Sequence, residues 1–196
     1  MIQADGANYA RLTSRRYDII AVDPPPPIDS AGAAVLYSQG LYSAALNDLR
    51  PDGVMLQWRY FGGQDLDQFR AQLHTFSSVF PHVLLLISPD AKGVYMLGSR
   101  DPLSWNAPAV SSILGSASAA ADFAGAPDVA LVSERPWMII LDGMVWLRDG
   151  QVERFAGNAP LITDDHPLTE YYFLHEHFAD PSPTVTADLL RRLAPG

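Results

Sequence analysis

Short unbroken apolar runs alternate along this chain with stretches whose apolar residues recur every three or four positions. This succession predicts strands interleaved with helices. The run Ile19–Val22, rich in β-branched residues, reads as a parallel strand buried on both faces. It stops on Asp23 and then on four prolines, Pro24–Pro27, through which neither a sheet ladder nor a helix can pass. The strand therefore delivers Asp23 to its carboxyl end, the edge of an open α/β sheet where ligands collect. Further on, Ser38 caps a helix that carries Leu41, Tyr42, Ala45, Leu46 and Leu49. Arg50–Gly53 turns the chain into a second apolar strand, Val54–Trp58, parallel to the first through a right-handed crossover. Asp65 caps the next helix, whose stripe of Leu66, Phe69, Leu73, Phe76 and Phe80 ends at Pro81 and faces the core. Val83–Ile87 and Gly93–Gly98 flank the turn Ser88–Lys92 and form an antiparallel pair.

The flanking regions are less regular. Ala7–Ser14 reads as a short helix, with Tyr9 and Leu12 on one side. Serine and alanine dominate Ser111–Ala126, where Val110–Ala121 predicts one small-residue helix and Asp128–Ser133 a shorter one. Trp137–Leu141 and Met144–Leu147 straddle Asp142-Gly143, a hairpin-turn dipeptide, and read as two strands; a buried helix followed by a turn uses the same letters. Arg148–Gly150 is a turn, Tyr171–His175 a strand, and Ala187–Leu193 a terminal helix.

Composition narrows the function more than the fold. The 196 residues are enough for one domain with a substantial core, and the absence of cysteine excludes disulfides, thiolate metal sites and a cysteine nucleophile. A net charge of −9 argues against a nucleic-acid surface, which needs clustered Lys and Arg, and permits a cationic substrate. No stretch approaches the roughly 20 apolar residues of a membrane helix, and no export signal is visible, so the expected location is cytoplasmic. No G-x-S-x-G elbow supports serine hydrolysis, and the four tryptophans read as packing residues. The densest titratable stretch is Asp164-Asp165-His166, Glu170 and His175-Glu176-His177. Carboxylates and imidazoles suit divalent metals, but H-E-x-x-H is missing and no metal is expected. A bare Asp-Gly, as at Asp5-Gly6, is by itself only a turn signal.

Several of these pieces occur together in one known arrangement. Asp5-Gly6, Tyr17-Asp18, Val22-Asp23, Leu36-Tyr37-Ser38, Tyr42 and Pro51-Asp52-Gly53 resemble the second half of a spermidine synthase domain. Thr163-Asp164-Asp165-His166-Pro167-Leu168-Thr169-Glu170-Tyr171 fits the T-D-D-x-P-x-x-E-Y signature of bacterial spermidine synthase-like domains, often fused to transporter-like segments. The resemblance covers most of residues 1–100 and 155–175. It implies an α/β, Rossmann-like sheet of the class I S-adenosylmethionine-dependent methyltransferase type, of which residues 1–100 form the C-terminal half. Residues 101–180 would be a helical and hairpin extension returning to the cleft, and 181–196 a tail. The start of the chain falls almost at Asp5-Gly6, with no Gly-x-Gly loop before it, so the expectation is an N-terminally truncated or degenerate domain.

The same resemblance implies roles. Asp5 would bind the adenine amino group, with Gly6 allowing close approach, and Asp23 would contact the nucleotide and also serve catalysis. The co-substrate would be decarboxylated S-adenosylmethionine or S-adenosylmethionine, and the partner a polyamine; a homo-oligomer is compatible with this. An amine attacks the carbon next to a sulfonium only when neutral, and a carboxylate both positions the cation and accepts its proton. The second acid of the family's loop aligns with Pro26, which can do neither, and Asp29 is the nearest substitute. Asp164, Asp165 and Glu170 would sit near the mouth of the cleft. Three functions compete: aminopropyl transfer, methyl or other nucleotide-dependent transfer on the same fold, and a non-catalytic degenerate domain. Pro26 weighs against the first, and the missing glycine-rich loop against the first two, so little aminopropyl transfer is expected of this chain.

Overall fold

A computed structural model describes residues 5–24, 32–104, 106–124, 144–168 and 183–195. Its elements in chain order are α1 (Gly6–Leu12), β1 (Tyr17–Val22), a 3-10 helix (Ala33–Tyr37), α2 (Gln39–Asp48), β2 (Leu49–Tyr60), α3 (Leu66–Ser77), β3 (His82–Ile87) and β4 (Gly93–Ser99). These are followed by α4 (Ala107–Leu114), α5 (Ala117–Ala124), β5 (Val145–Arg148), α6 (Gly150–Ala156) and α7 (Ala187–Leu193). The strands form one mixed α/β sheet in the order β1-β2-β4-β3-β5. β1 and β2 are parallel, as the α2 crossover requires, and β4 inserts antiparallel between β2 and β3. The expected hairpin is therefore present, and β5 pairs antiparallel with β3 on its far side.

Local chemistry accounts for most boundaries. Ser38 Oγ accepts from the Leu41 amide at the start of α2, and Asp65 Oδ1 accepts from Gln68 at the start of α3. The α3 stripe of Leu66, Phe69, Leu73 and Phe76 is buried against Met55, Val83, Leu85, Val94 and Met96 on one sheet face. Tyr42 meets Phe76 edge-on at 5.0 Å between ring centroids, and Phe76 lies 4.6 Å from Phe80. Gly98 makes that packing possible, because a Cβ there would stand 2.4 Å from the Phe80 ring. Among the described residues, no helix is long and apolar enough to cross a membrane.

Four expectations need correction. β1 is not buried on both faces: it is the edge of the sheet, and Ile19 is 70% exposed while Ile20 and Val22 pack partly on the core. Periodicity cannot distinguish an inner strand from an outer one, because neighbours in the sheet are not neighbours in sequence. β2 is longer than Val54–Trp58; Arg50–Gly53 is not a separating turn but an irregularity, since Tyr17 pairs with Leu49 and Ile19 already with Val54. The single helix over Val110–Ala121 is two helices, broken at Gly115 and restarted by Ser116, whose Oγ accepts from Ala119. Arg148–Gly150 is not merely a turn: it leads from β5 directly into α6, which buries Val152, Phe155 and Ala156. Met144–Leu147 is essentially β5, antiparallel to β3. Its expected partner Trp137–Leu141, and the elements over Asp128–Ser133 and Tyr171–His175, lie outside the described residues.

Gly98→Ala forces the Phe76–Phe80 rings apart and is expected to destabilise the fold by about 1–3 kcal/mol, the usual range for overpacking. A urea melt followed by tryptophan fluorescence measures the shift in midpoint.

Candidate functional site

β1 forms one wall of a cavity of about 640 Å³. Tyr17, Ile19–Val22 and Asp23 line it from the strand, Gly6, Tyr9 and Ala10 from α1, and Leu41, Ala45 and Asp48 from α2. The walls are mostly aliphatic, and the polar groups sit at the ends. Asp23 marks the carboxyl end of β1, beyond which Pro24 is buried. Its negative charge helps raise the hydroxyls of Tyr37 and Tyr95, although burial is the larger cause for both. At the opposite end, Tyr9 and Tyr17 share a hydrogen bond of 2.7 Å between their hydroxyls. That bond lowers the Tyr9 pKa and raises that of Tyr17, as expected when one phenol of a pair supports the other's ionised form.

Asp48, the last residue of α2, is a buried carboxylate on the cavity wall. Arg16 Nη1 approaches it at 3.4 Å, but desolvation outweighs this attraction and raises its pKa.

Behind the wall, β2 turns polar side chains into the core. Gln57 accepts from the Tyr42 hydroxyl at 2.6 Å and donates to the Leu36 carbonyl at 2.9 Å. Arg59 is 1% exposed and lies 4.4 Å above the Tyr37 ring. Its Nε donates to Gln72 Oε1 and its Nη2 to Gln64 Oε1, while Gln64 Nε2 donates to the Tyr60 carbonyl. Burial lowers the Arg59 pKa and raises that of Tyr42. This network holds the 3-10 helix, and with it Leu36, against β2 at the cavity's edge.

The residues singled out from sequence divide into three groups. Gly6 and Asp23 line the same cavity. Asp5 accepts from the Asn8 amide at 2.8 Å and so caps α1, the helix that Gly6 begins, rather than ending a strand among the described residues. Asp164 and Asp165 occupy the tight turn closed by Thr163 and His166 and are not among the cavity-lining residues. Asp164 Oδ2 accepts from Arg11 Nη2 at 2.6 Å and packs against Gly40 in the first turn of α2, where a Cβ would stand 2.9 Å away. That carboxylate therefore ties the returning segment to α1 and α2, with the help of Gln39 N donating to the Ile162 carbonyl. Asp29 and Glu170 lie outside the described residues. Sequence reasoning missed Tyr9, Tyr17 and Asp48 as cavity residues. The only available signal was Asp48, an acid at a helix C-terminus, where the dipole disfavours negative charge.

No protein-family model matches the chain, and no curated protein matches it. It is similar to solved structures of spermidine synthases. One, in complex with the transition state analogue AdoDATO, has 26% identity and a TM-score of 0.43 over 51% of this chain and 36% of that one. The Thermotoga maritima spermidine synthase has 25% identity and a TM-score of 0.38 over 50% of this chain and 32% of its own. A probable spermidine synthase from Corynebacterium glutamicum has 15% identity and a TM-score of 0.48 over 82% and 52%. The chain thus spans between a third and a half of the length of these proteins.

A raised folded-state pKa at Asp48 means that the native state holds this proton more tightly than the unfolded chain does. Its contribution is favourable below the unfolded value of 3.8 and is lost as pH rises through the folded value. Asp48→Asn is therefore expected to stabilise the protein at pH 7 relative to wild type and to flatten the decline above pH 4. Urea midpoints across that range test it, and a variant less stable at pH 7 would show that the Arg16 attraction dominates.

Proposed function

We propose that the cavity beside β1 is a ligand pocket of the spermidine synthase type. In it, Asp23 binds an amine and takes its proton as nitrogen attacks the carbon next to a sulfonium. The new N–C bond forms as the C–S bond breaks, the sulfur keeps the electron pair, and the proton passes to the Asp23 carboxylate. The supporting observation is the position of Asp23 at the carboxyl end of a parallel strand, opening onto the same cavity as Gly6 at the start of α1. The aliphatic walls suit an apolar body, and the acidic end suits a cationic head.

In this reading the co-substrate is decarboxylated S-adenosylmethionine or S-adenosylmethionine, and the acceptor a polyamine in the cytoplasm. Residues 1–100 carry the nucleotide-binding half-domain, residues 101–180 return toward the cleft, and 181–196 form a tail. Asp29, Asp165 and Glu170 are the further acids assigned to the amine side. Asp164 contributes there only by release from Arg11, and Asp5 contacts adenine only with the carboxylate oxygen that does not cap α1. Two observations favour a second reading, a binding domain with little catalysis. Pro26 stands where a second acid would help, and Asp5 and Asp164 are already engaged in structural bonds.

Calorimetric titration with putrescine and with methylthioadenosine tests the pocket. Asp23→Asn is expected to weaken putrescine binding by about 10- to 100-fold, the equivalent of one hydrogen bond to a charged group. Methylthioadenosine binding should change less, and aminopropyl turnover should be low even in the wild type. Putrescine affinity indifferent to Asp23→Asn would reject the proposed role, and rapid turnover would reject the second reading.

A further inference from the structure

Residues 183–193 run alongside the loop between β2 and α3. The Leu66 amide donates to the Pro183 carbonyl at 2.9 Å, and the Val185 amide donates to the Gln64 carbonyl at 2.8 Å. Between them, Asp65 and Thr184 form an antiparallel bridge. Val185 and Leu190 are buried and join the same core cluster as Leu66 and Phe69. Thr186 Oγ1 accepts from the Leu189 amide at the start of α7, and the Leu190 carbonyl accepts from Trp146 Nε1 at 3.2 Å. The segment is therefore held at one end by the loop and at the other by β5. The loop has little stiffness of its own. It contains Gly62-Gly63, and Gly63 sits at φ 69°, a conformation that favours glycine.

The same loop supplies Gln64, which is buried and whose Oε1 accepts from Arg59 Nη2. A guanidinium out of water is strongly destabilised when it loses an acceptor, so a shift of Gln64 has to be followed by Arg59. Arg59 in turn lies against the Tyr37 ring at 4.4 Å. Tyr37 ends the 3-10 helix, whose Leu36 forms part of the cavity wall. We propose that residues 183–193 are a strap that sets the position of this helix through Gln64 and Arg59. No residue of the strap lines the cavity, and Gln64 and Arg59 act as positioning residues. Gln57 Nε2 anchors the Leu36 carbonyl independently at 2.9 Å, so releasing the strap loosens Ala33–Tyr37 without freeing it. This coupling holds whether or not the cavity takes an amine, and it is measured without ligand.

Hydrogen exchange of the ligand-free full chain, read by mass spectrometry, tests the coupling. Val185→Ala and Leu190→Ala each remove buried packing from the strap, and circular dichroism confirms that each variant is folded. Both are expected to speed exchange at residues 183–193 and 64–66. Exchange at Ala33–Tyr37 should rise by about tenfold, as for the loss of one buried hydrogen-bond partner. β3 and β4 should keep their wild-type exchange. Gly98→Ala is the control for general weakening, since it disturbs the Phe76–Phe80 packing and should not single out Ala33–Tyr37. Gln64→Leu cuts the path to Arg59. Added to it, Val185→Ala should still speed residues 183–193 and should add nothing at Ala33–Tyr37. If Gln64→Leu does not fold, the two strap variants decide by themselves. Faster exchange at 183–193 with wild-type exchange at Ala33–Tyr37, equal acceleration across β3 and β4, or a full effect of Val185→Ala in the Gln64→Leu background would overturn the proposal.

Discussion

The buried guanidinium of Arg59 constrains how α3, the β2–α3 loop and the 3-10 helix are arranged on β2. A charge taken out of water costs several kcal/mol unless its donors are satisfied. Here no carboxylate pairs with it among the described residues. Instead Gln72 from α3, Gln64 from the β2–α3 loop and the Tyr37 ring from the 3-10 helix converge on it. Satisfying one side chain therefore positions three segments relative to β2. Gln57, two residues earlier on the same face, does the same for Tyr42 of α2 and the Leu36 carbonyl. These polar contacts set the depth at which the 3-10 helix lies, and with it one end of the cavity. The aromatic cluster of Tyr42, Phe76 and Phe80 then fills the apolar volume behind them.

The opposite side of the cavity rests on weaker constraints. α1 is a helix of 7 residues capped by Asp5, and its link to the rest of the fold includes the exposed Arg11–Asp164 pair. Pairs of this kind are worth little in water, typically about 0.2–1 kcal/mol. Among the described residues β1 pairs along one edge, with β2, and its irregular register there falls at Tyr17–Ile19, near the Tyr9–Tyr17 phenol pair. The wall made by β2 and α2 is thus tied by buried polar contacts, and the one made by α1 by an exposed ion pair.

The acids of this chain show how position, more than residue type, assigns work. Asp5 and Asp65 are consumed as helix caps, Asp18 and Asp164 as arginine partners, and Asp48 as a buried wall residue whose burial outweighs its partner. Asp23 alone among them combines exposure, a place at a strand's carboxyl end and a share of the cavity wall. That combination, and not its charge, distinguishes it chemically.

Much of the scaffold was legible in the letters because it depends on local periodicity and local caps. Ser38 and Asp65 announce α2 and α3, the Leu66–Phe76 stripe identifies the buried face of α3, and the Ser88–Lys92 turn identifies the β3–β4 hairpin. Asp23 was legible as a strand-end residue for the same reason, whereas Gly6 entered only through the resemblance; both line the cavity. Other properties depend on which elements become neighbours, and no window of sequence contains that. Ile19–Val22 looks buried because it is apolar, yet among the described residues its strand has a neighbour on one edge only, and Ile19 is exposed. Arg59 and Gln72 look like surface residues until the fold removes them from water together. Asp164 looks like a ligand-binding acid until Arg11, 153 positions earlier, occupies it. Sequence determined the elements and their order, because hydrophobic spacing and capping act within a few residues. Tertiary structure decided burial, pairing and which carboxylates remain free, because those depend on contacts between residues far apart in the chain.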